Sequence, residues 1–276
     1  MTDLPSGNLT VHIALPCTPR CSVLLAGGVP MKLAAIQLDT IPMQVDHNVH
    51  KALVWCRRAF DEGARFIFLH EGLTADYTPD PMRYGRPLES VEVHSFSVLA
   101  KEYGGWIALG LNEVWKGQPY ISCVYVDGDG VVDAYRKSYL WSLPDRDNYC
   151  AYREGYRQEL GILAHGGGTR NIRVGELLIG TLICADGNTP AAWETFRREP
   201  PDLVFYQNNR GCVDERRNRD FAREIGRPMV VTNRVGYSYF HFQRGGTRFI
   251  RRDGTIAAAA NTEGREQIIY AYLEDL

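Results

Sequence analysis

The stretch LLIGTLICADGN, residues 177–188, decides how the chain presents its most reactive candidate side chain. An apolar run leads into Cys184, and the chain turns polar directly afterwards at Asp186. Such a run is typical of a buried strand, and turn-forming residues mark its end. Cys184 alone is ambiguous, because a free cysteine often behaves as a small buried hydrophobe. It becomes a candidate nucleophile only if the fold brings a base and a cation to the same place.

Apolar runs and amphipathic stretches alternate on both sides of this segment. Strands are predicted at 32–40, 64–72, 105–114, 171–184, 202–208 and 228–236, and helices at 46–62, 89–103, 190–198 and 214–226. Asp46 is the expected N-cap of the first helix. Hairpins are predicted around DGDG (127–130) and Asp253-Gly254, because Asp-Gly supplies the positive φ angles of a tight turn. This alternation predicts mixed sheets covered by helices, an α/β layered domain.

The domain is expected to span residues 31–276, after an N-terminal extension, residues 1–30, that we expect to be poorly ordered. The first 30 residues contain no lysine and a single arginine, so the charged start of a signal peptide is missing. Their apolar run SVLLAGGVP (22–30) is too short to cross a bilayer. A packed N-terminal strand is the alternative interpretation of this segment.

Charge and cysteine usage limit the partners that the sequence predicts. The chain has 31 basic and 33 acidic residues, a formal net charge of −2, which favours neither nucleic acid nor an anionic membrane as partner. The arginines of 210–252 are interleaved with acidic residues, which is typical of a solvated helix surface. Seven scattered cysteines do not form a secreted disulfide framework, so a cytoplasmic location is expected. The dispersed histidines predict no metal site, and HGGG (165–168) is interpreted as a turn.

Three predicted strands carry reactive groups at or near their ends: Glu71, Lys137 and Cys184. Functional groups of open α/β sheets gather at the carboxyl ends of strands. A carboxylate can take the thiol proton, and an ammonium can stabilise negative charge. Each residue also has a structural interpretation: Glu71 as a solvated loop residue, Lys137 as an exposed hairpin residue and Cys184 as part of the core.

Three motifs in this order resemble the carbon–nitrogen hydrolase family, also called the nitrilase superfamily. They are FLHEG (68–72), YRKSYL (135–140) and LICADGNTP (182–190). Glu71 precedes Lys137 by 66 residues, and Lys137 precedes Cys184 by 47, spacings similar to those of the Glu–Lys–Cys triad of that family. The likeness extends from Met31 to Leu276 and includes the opening KLAAIQLD, the late VVTNRVG and the hairpin GGTRFIRRDG.

The resemblance implies a four-layer α-β-β-α sandwich with two mixed sheets, and hydrolysis of a small amide or nitrile without cofactor or metal. It implies that Cys184 attacks the carbonyl carbon, that Glu71 moves the proton, and that Lys137 and the backbone N–H of Ala185 stabilise the oxyanion. A homo-oligomer is implied as well.

Three positions depart from the family pattern. His70 stands where many relatives have proline before the glutamate. Tyr139 stands where many relatives have histidine, and it is a candidate for positioning the substrate. Many relatives carry a second glutamate in the loop after the lysine strand. Here Asp145 is the candidate for that place, with Asp147 and Asn148 nearby.

The residues that follow Cys184 favour the amidase branch of the family. True nitrilases of the family commonly show Cys-Trp-Glu, whereas this chain has Cys184-Ala185-Asp186. Carbamoyl-amino-acid hydrolases often carry arginines where Gly187 and Asn188 stand here. Nitrile hydrolysis, N-carbamoyl hydrolysis and acyl or amide transfer on the same triad remain open, as does a non-catalytic scaffold.

Overall fold

Two six-stranded sheets and one separate hairpin make up the strands of the described residues, which are 30–141, 163–238 and 241–276 of the computed structural model. The strands are β1 (Lys32–Gln37), β2 (Phe66–Phe68), β3 (Trp106–Trp115), β4 (Gln118–Asp127), β5 (Gly130–Arg136), β6 (Asn171–Val174), β7 (Leu177–Ile183), β8 (Leu203–Gln207), β9 (Met229–Thr232), β10 (Val235–Ser238), β11 (His241–Arg244), β12 (Arg248–Ile250), β13 (Ile256–Ala259) and β14 (Gln267–Tyr272). The helices are α1 (Val45–Asp61), α2 (Pro81–Tyr84), α3 (Val91–Tyr103), α4 (Pro190–Arg198) and α5 (Glu215–Ile225).

Both large sheets are mixed. The first has the order β14-β1-β2-β3-β4-β5, with β1, β2 and β3 parallel and the other neighbours antiparallel. The second has the order β13-β12-β9-β8-β7-β6, with β7, β8 and β9 parallel. The pairings β4–β5 and β12–β13 confirm the two predicted hairpins, and β6–β7 confirms the strand pair predicted at 171–184.

The apolar residues fall into three clusters that define the layers. One cluster lies between the two sheets, where the ring centroids of Phe68 and Phe205 are 4.8 Å apart. A second cluster packs α1 and α3 against the first sheet, and a third packs α4 and α5 against the second. The predicted four-layer α-β-β-α sandwich with two mixed sheets is therefore confirmed.

Helix ends follow local capping rules, with one difference from the sequence prediction. The side chain of Ser90 caps α3 and that of Asp214 caps α5, each accepting from the backbone N–H three residues later. The predicted N-cap Asp46 is wrong, because α1 begins at Val45 and its N-cap is Gln44. Asp46 instead lies in the first turn, where its negative charge interacts favourably with the positive end of the helix dipole.

The prediction that the arginines of 210–252 form a solvated helix surface is wrong for Arg234 and Arg248, and also for Arg210, which contacts Cys184. Arg234 is fully buried and pairs with Asp76 and Asp39, and Arg248 is nearly buried and pairs with Glu215. A buried guanidinium needs such partners, because unpaired charge inside a protein is costly. Arg216, by contrast, is an exposed residue of α5.

Gly110 in β3 allows the chain after β2 to pass close by. A Cβ at this position would lie 2.1 Å from the carbonyl oxygen of His70, 2.8 Å from the backbone N of Gly72 and 3.0 Å from the carbonyl carbon of Glu71. These are backbone atoms, which cannot move aside as a flexible side chain would. The close approach therefore requires glycine.

We expect Gly110→Ala to lower the free energy of unfolding by about 1–3 kcal/mol, because overpacked methyl groups force backbone shifts of this cost. Denaturant-induced unfolding measures the change. Gly167→Ala is the matched control, since nothing lies within 4 Å of its added Cβ. Equal stabilities of the two variants would contradict the prediction.

Candidate active site

Glu71 lies three residues beyond the end of β2, in a segment that both sheets hold. The carbonyl oxygen of Leu69 accepts from the Gln207 side chain at 3.0 Å and from the Thr232 hydroxyl at 3.2 Å. The backbone N–H of Glu71 donates to the carbonyl of Asn208 at 3.3 Å. The Glu71 side chain has no exposed surface, so its prediction as a solvated loop residue is excluded.

Lys137 directly follows β5 and faces Glu71 across the gap between strand ends. Its Nζ donates to Glu71 Oε1 at 2.8 Å, and neither side chain is exposed. The Lys137 backbone is held on both sides, since its N–H donates to Ile121 and its carbonyl accepts from Gly166, each at 2.8 Å. Bonding at both ends of the residue fixes where the ammonium lies.

Cys184 opens a 3-10 turn, Cys184–Asn188, directly after β7. Its φ of +45° is unusual for a residue other than glycine, and such strained conformations cluster at functional sites. The Tyr206 hydroxyl donates to the Cys184 carbonyl at 2.7 Å, which helps to hold this conformation. Cys184 is 5% exposed, so it lies in the interior but reaches a surface that solvent contacts.

Asp186 joins the turn of Cys184 to the segment of Lys137. Its carboxylate accepts from the backbone N–H groups of Ser138 and Tyr139 at 3.1 and 2.7 Å, from that of Ile183 at 2.9 Å and from the Tyr135 hydroxyl at 2.8 Å. Burial raises the pKa of Asp186, although the N–H donors and the charge of Lys137 oppose this effect. The contacts of Asp186 with the segment of Lys137 were not predicted from the sequence.

The HGGG segment, residues 165–168, also supports the lysine. Besides the bond from Gly166 to Lys137, the backbone N–H of Gly168 donates to the Ser138 hydroxyl at 3.1 Å. A Cβ on Gly166 would lie 2.0 Å from the carbonyl oxygen of Arg136. Gly166 therefore lets this segment pack against the chain that carries Lys137.

Arg210 is a residue that the sequence analysis did not single out. It follows β8, and its Nη2 lies 3.2 Å from Cys184 Sγ within hydrogen-bonding distance of sulfur. Its position just beyond a predicted strand could have indicated a site residue. The many acidic residues nearby instead favoured the interpretation as a solvated surface. Arg210 interacts electrostatically with both Cys184 and Glu71, so the three side chains belong to one cluster.

The remaining predicted positions have different surroundings. Ala185 is buried in the 3-10 turn directly after Cys184. Tyr139 is partly buried and packs against the apolar cluster of α4 and α5, while its backbone N–H binds Asp186. Asp145 lies outside the described residues, as do Asp147, Asn148 and residues 1–29 of the predicted N-terminal extension. Their predicted roles stay predictions.

No metal-binding cluster of three or more His, Cys, Asp or Glu side chains occurs in the described parts of the chain. The helices in those parts are also all too short or too polar to cross a membrane.

His70 is expected to make stability depend on pH. Burial, with a smaller contribution from Arg234, lowers the pKa of His70 from 6.5 to about 3, and its Nδ1 lies 2.9 Å from the Glu71 carbonyl. Below pH ~6.5 the His70 imidazole becomes protonated in the unfolded chain but stays neutral in the folded chain. The free energy of unfolding should therefore fall by up to about 1.4 kcal/mol per pH unit from this residue as the pH drops toward 3.

Denaturant unfolding across this pH range measures the slope. His70→Gln should reduce the slope, whereas His94→Gln, which changes an exposed residue, should leave it in place. An unchanged slope in His70→Gln would contradict the assignment.

Comparisons with known proteins identify a family that matches most of the chain. Residues 32–275 match the family described as carbon-nitrogen hydrolase. A nitrilase from Pyrococcus abyssi is 25% identical over 184 residues, which cover 65% of this chain and 65% of that protein. The matched segment thus spans just under two thirds of the relative.

Solved structures share the fold at lower identity. A carbon-nitrogen hydrolase from Helicobacter pylori G27 has a TM-score of 0.74 at 18% identity, covering 89% of this chain and 90% of the other. Nit3 from Saccharomyces cerevisiae, a nitrilase-superfamily member, has a TM-score of 0.72 at 22% identity, covering 88% and 89%. An amidase from Nesterenkonia sp. AN1, with acrylamide added to its active-site cysteine, has a TM-score of 0.73 at 17% identity, covering 89% and 96%.

Proposed function

This chain belongs to the carbon–nitrogen hydrolase family, and from that premise we propose that it hydrolyses a non-peptide C–N bond of a small amide. Cys184 forms a thioester with the acyl group, and ammonia or an amine leaves. Glu71, Lys137 and Cys184 are the proposed catalytic residues.

One observation carries the proposal: a buried carboxylate and ammonium, 2.8 Å apart, lie at the cluster that includes the strained turn of Cys184. Burying an ion pair at strand ends costs desolvation energy that an apolar pair would avoid. A structural role explains the pair poorly, because the surrounding strands already have a large apolar core. Acid–base chemistry next to a nucleophile explains it well.

In the first half of the reaction, Cys184 Sγ gives its proton to Glu71 and attacks the carbonyl carbon. The Lys137 ammonium and the backbone N–H of Ala185 stabilise the negative oxygen of the tetrahedral intermediate. Glu71 then delivers the same proton to the leaving nitrogen as the C–N bond breaks. The products of this half are the thioester and ammonia or an amine.

In the second half, water replaces the sulfur. Glu71 takes a proton from a water molecule while the oxygen of that water attacks the thioester carbon. The same oxyanion donors stabilise the second tetrahedral intermediate. The C–S bond breaks, the thiolate of Cys184 regains a proton from Glu71, and a carboxylic acid is released.

Ammonia release across a panel of short aliphatic amides, N-carbamoyl compounds and nitriles tests the proposal. Amides should react fastest, because Cys184-Ala185-Asp186 favours the amidase branch. Adding hydroxylamine distinguishes hydrolysis from acyl transfer, since a transferase would yield hydroxamate in preference to acid. No turnover of any panel member, together with a Cys184 that iodoacetamide modifies no faster than the other cysteines, would instead favour a scaffold.

The homo-oligomer, the cytoplasmic location and the substrate-positioning roles of Tyr139 and Asp145 are part of this proposal and rest on the family resemblance. Sedimentation analysis tests the oligomer. Tyr139→Phe and Asp145→Asn test the positioning roles, because loss of a substrate contact should raise KM more than it lowers kcat.

A further inference from the structure

Arg210 brings a second cation to the nucleophile, from a different strand end than Lys137. Its Nη2 lies 3.2 Å from Cys184 Sγ. The Lys137 ammonium donates to Glu71 at 2.8 Å. The two cations therefore face different acceptors of the same cluster, and their roles need not be the same.

The backbone of Arg210 is held in place from both sides. The side chain of Asn233 accepts from the Arg210 N–H at 3.0 Å and donates to the Arg210 carbonyl at 2.8 Å. The preceding residue, Asn209, donates from its side chain to Asp76 at 2.6 Å. Arg210 thus starts from a fixed point, which lowers the entropy lost when its side chain is held at one position.

The guanidinium is also held near its tip. It lies over the ring of Tyr206, 5.7 Å from the ring centroid, and the Tyr206 hydroxyl donates to the carbonyl of Cys184. Tyr206 therefore contacts both the cation and the residue that the cation faces. Such support is expected of a site group whose geometry matters.

Among the residues that the structure describes, charged and titratable groups from four segments surround Cys184. Glu71 follows β2, Lys137 follows β5, Tyr206 lies in β8 with Arg210 beyond its end, and Asp186 is on the turn of Cys184 itself. The Asp186 carboxylate is occupied by backbone N–H donors and by Tyr135. Burial alone would lower the pKa of Arg210, but the facing Cys184 and Tyr206 raise it overall, so the guanidinium stays charged.

We propose, on the basis of the proposed function, that Arg210 is a further catalytic residue whose guanidinium stabilises the thiolate of Cys184 before substrate arrives. The thiol proton goes to Glu71, no other bond changes, and Glu71 later gives this proton to the leaving nitrogen. An N–H donor gains more from a sulfur anion than from a neutral thiol, which is a weak acceptor. Lys137 then serves the substrate oxyanion, and Arg210 serves the nucleophile.

The test is the pH dependence of alkylation at Cys184, which needs no substrate. Wild type, Arg210→Gln and Arg210→Lys are treated with iodoacetamide, and the adduct is followed by mass spectrometry on the tryptic fragment 174–197. Cys184 is the single cysteine of that fragment, so the exposed Cys212 does not interfere.

Arg210→Gln should react about 10-fold more slowly than wild type near neutral pH. Loss of the cation beside the sulfur reduces the thiolate fraction, and the higher basicity of each remaining thiolate offsets this reduction only in part. At high pH, where both thiols are ionised, the order should reverse. Arg210→Lys keeps a charge but loses the planar fork, so its profile should lie between the two.

Arg216→Gln is the matched control, because it removes an exposed arginine of α5 and should leave the profile unchanged. Superimposable profiles for wild type and Arg210→Gln would overturn the proposal, even if Cys184→Ala abolishes turnover and the hydrolase proposal stands. Should thermal unfolding show that Arg210→Gln is not folded, Arg210→Lys decides: a profile equal to wild type also overturns the proposal.

Discussion

Replacing Cys184 with alanine is expected to abolish amide hydrolysis, with kcat falling by about 10,000-fold or more, the scale seen when a nucleophile is removed from a triad. Alanine cannot form the thioester, and no other residue of the turn Cys184–Asn188 carries a thiol or a hydroxyl. Oxyanion donors that remain can stabilise direct attack by water only weakly.

The measurement is ammonia release from the best substrate of the amide panel, with the variant and wild type at equal concentration. Cys212→Ala is the matched control, because Cys212 is an exposed cysteine and its removal should leave kcat unchanged. Mass spectrometry of wild type during turnover should show the acyl adduct on Cys184, which the variant lacks. Ammonia release that survives in Cys184→Ala would end the thioester proposal.

Replacing Lys137 with methionine is expected to damage both catalysis and stability. The substitution removes an oxyanion donor, which typically costs about 100- to 1,000-fold in kcat. It also removes the ammonium that faces Glu71 in a place without exposed surface. Removing one partner of a buried pair typically costs about 3–5 kcal/mol of the free energy of unfolding.

The double variant Glu71→Gln/Lys137→Met separates the two effects. It removes both charges of the pair, so we expect it to recover much of the stability that Lys137→Met loses. It should recover no activity, because the base is now absent as well. Lys101→Met, which changes an exposed lysine of α3, is the control for both measurements.

Denaturant unfolding and ammonia release are measured on wild type, Lys137→Met, the double variant and Lys101→Met. Lys137→Met with wild-type turnover would remove the lysine from the mechanism. A double variant less stable than Lys137→Met would show that Glu71 and Lys137 are held by other contacts more than by each other.

Much of the architecture could be predicted from local patterns. The apolar run before Cys184 became β7, the Asp-Gly turns became the connections β4–β5 and β12–β13, and the helical spacing after Val45 became α1. Element ends were less accurate. The strand predicted at 64–72 is shorter in the structure, where β2 covers only Phe66–Phe68. It ends there because side chains of the second sheet bind the carbonyl of Leu69.

The candidate site also contains residues that the sequence predicted and residues that it did not. Glu71, Lys137 and Cys184 could be proposed from their order and strand-end positions, because a change from apolar to polar residues is visible in the sequence. Arg210 and Asp186 could not, since their surroundings looked like a solvated arginine surface and an ordinary turn.

The amino-acid sequence by itself therefore determined the layer type, the order of the strands along the chain and three candidate site residues at strand ends. Periodicity and turn chemistry depend on neighbours a few positions away, so they can be read without a structure. Only the tertiary structure decided that Arg210 faces the sulfur, that Asp186 joins two segments and that Arg234 is buried. Those contacts join residues far apart in the chain, and they exist because the spatial order of strands in the two sheets brings particular strand ends together.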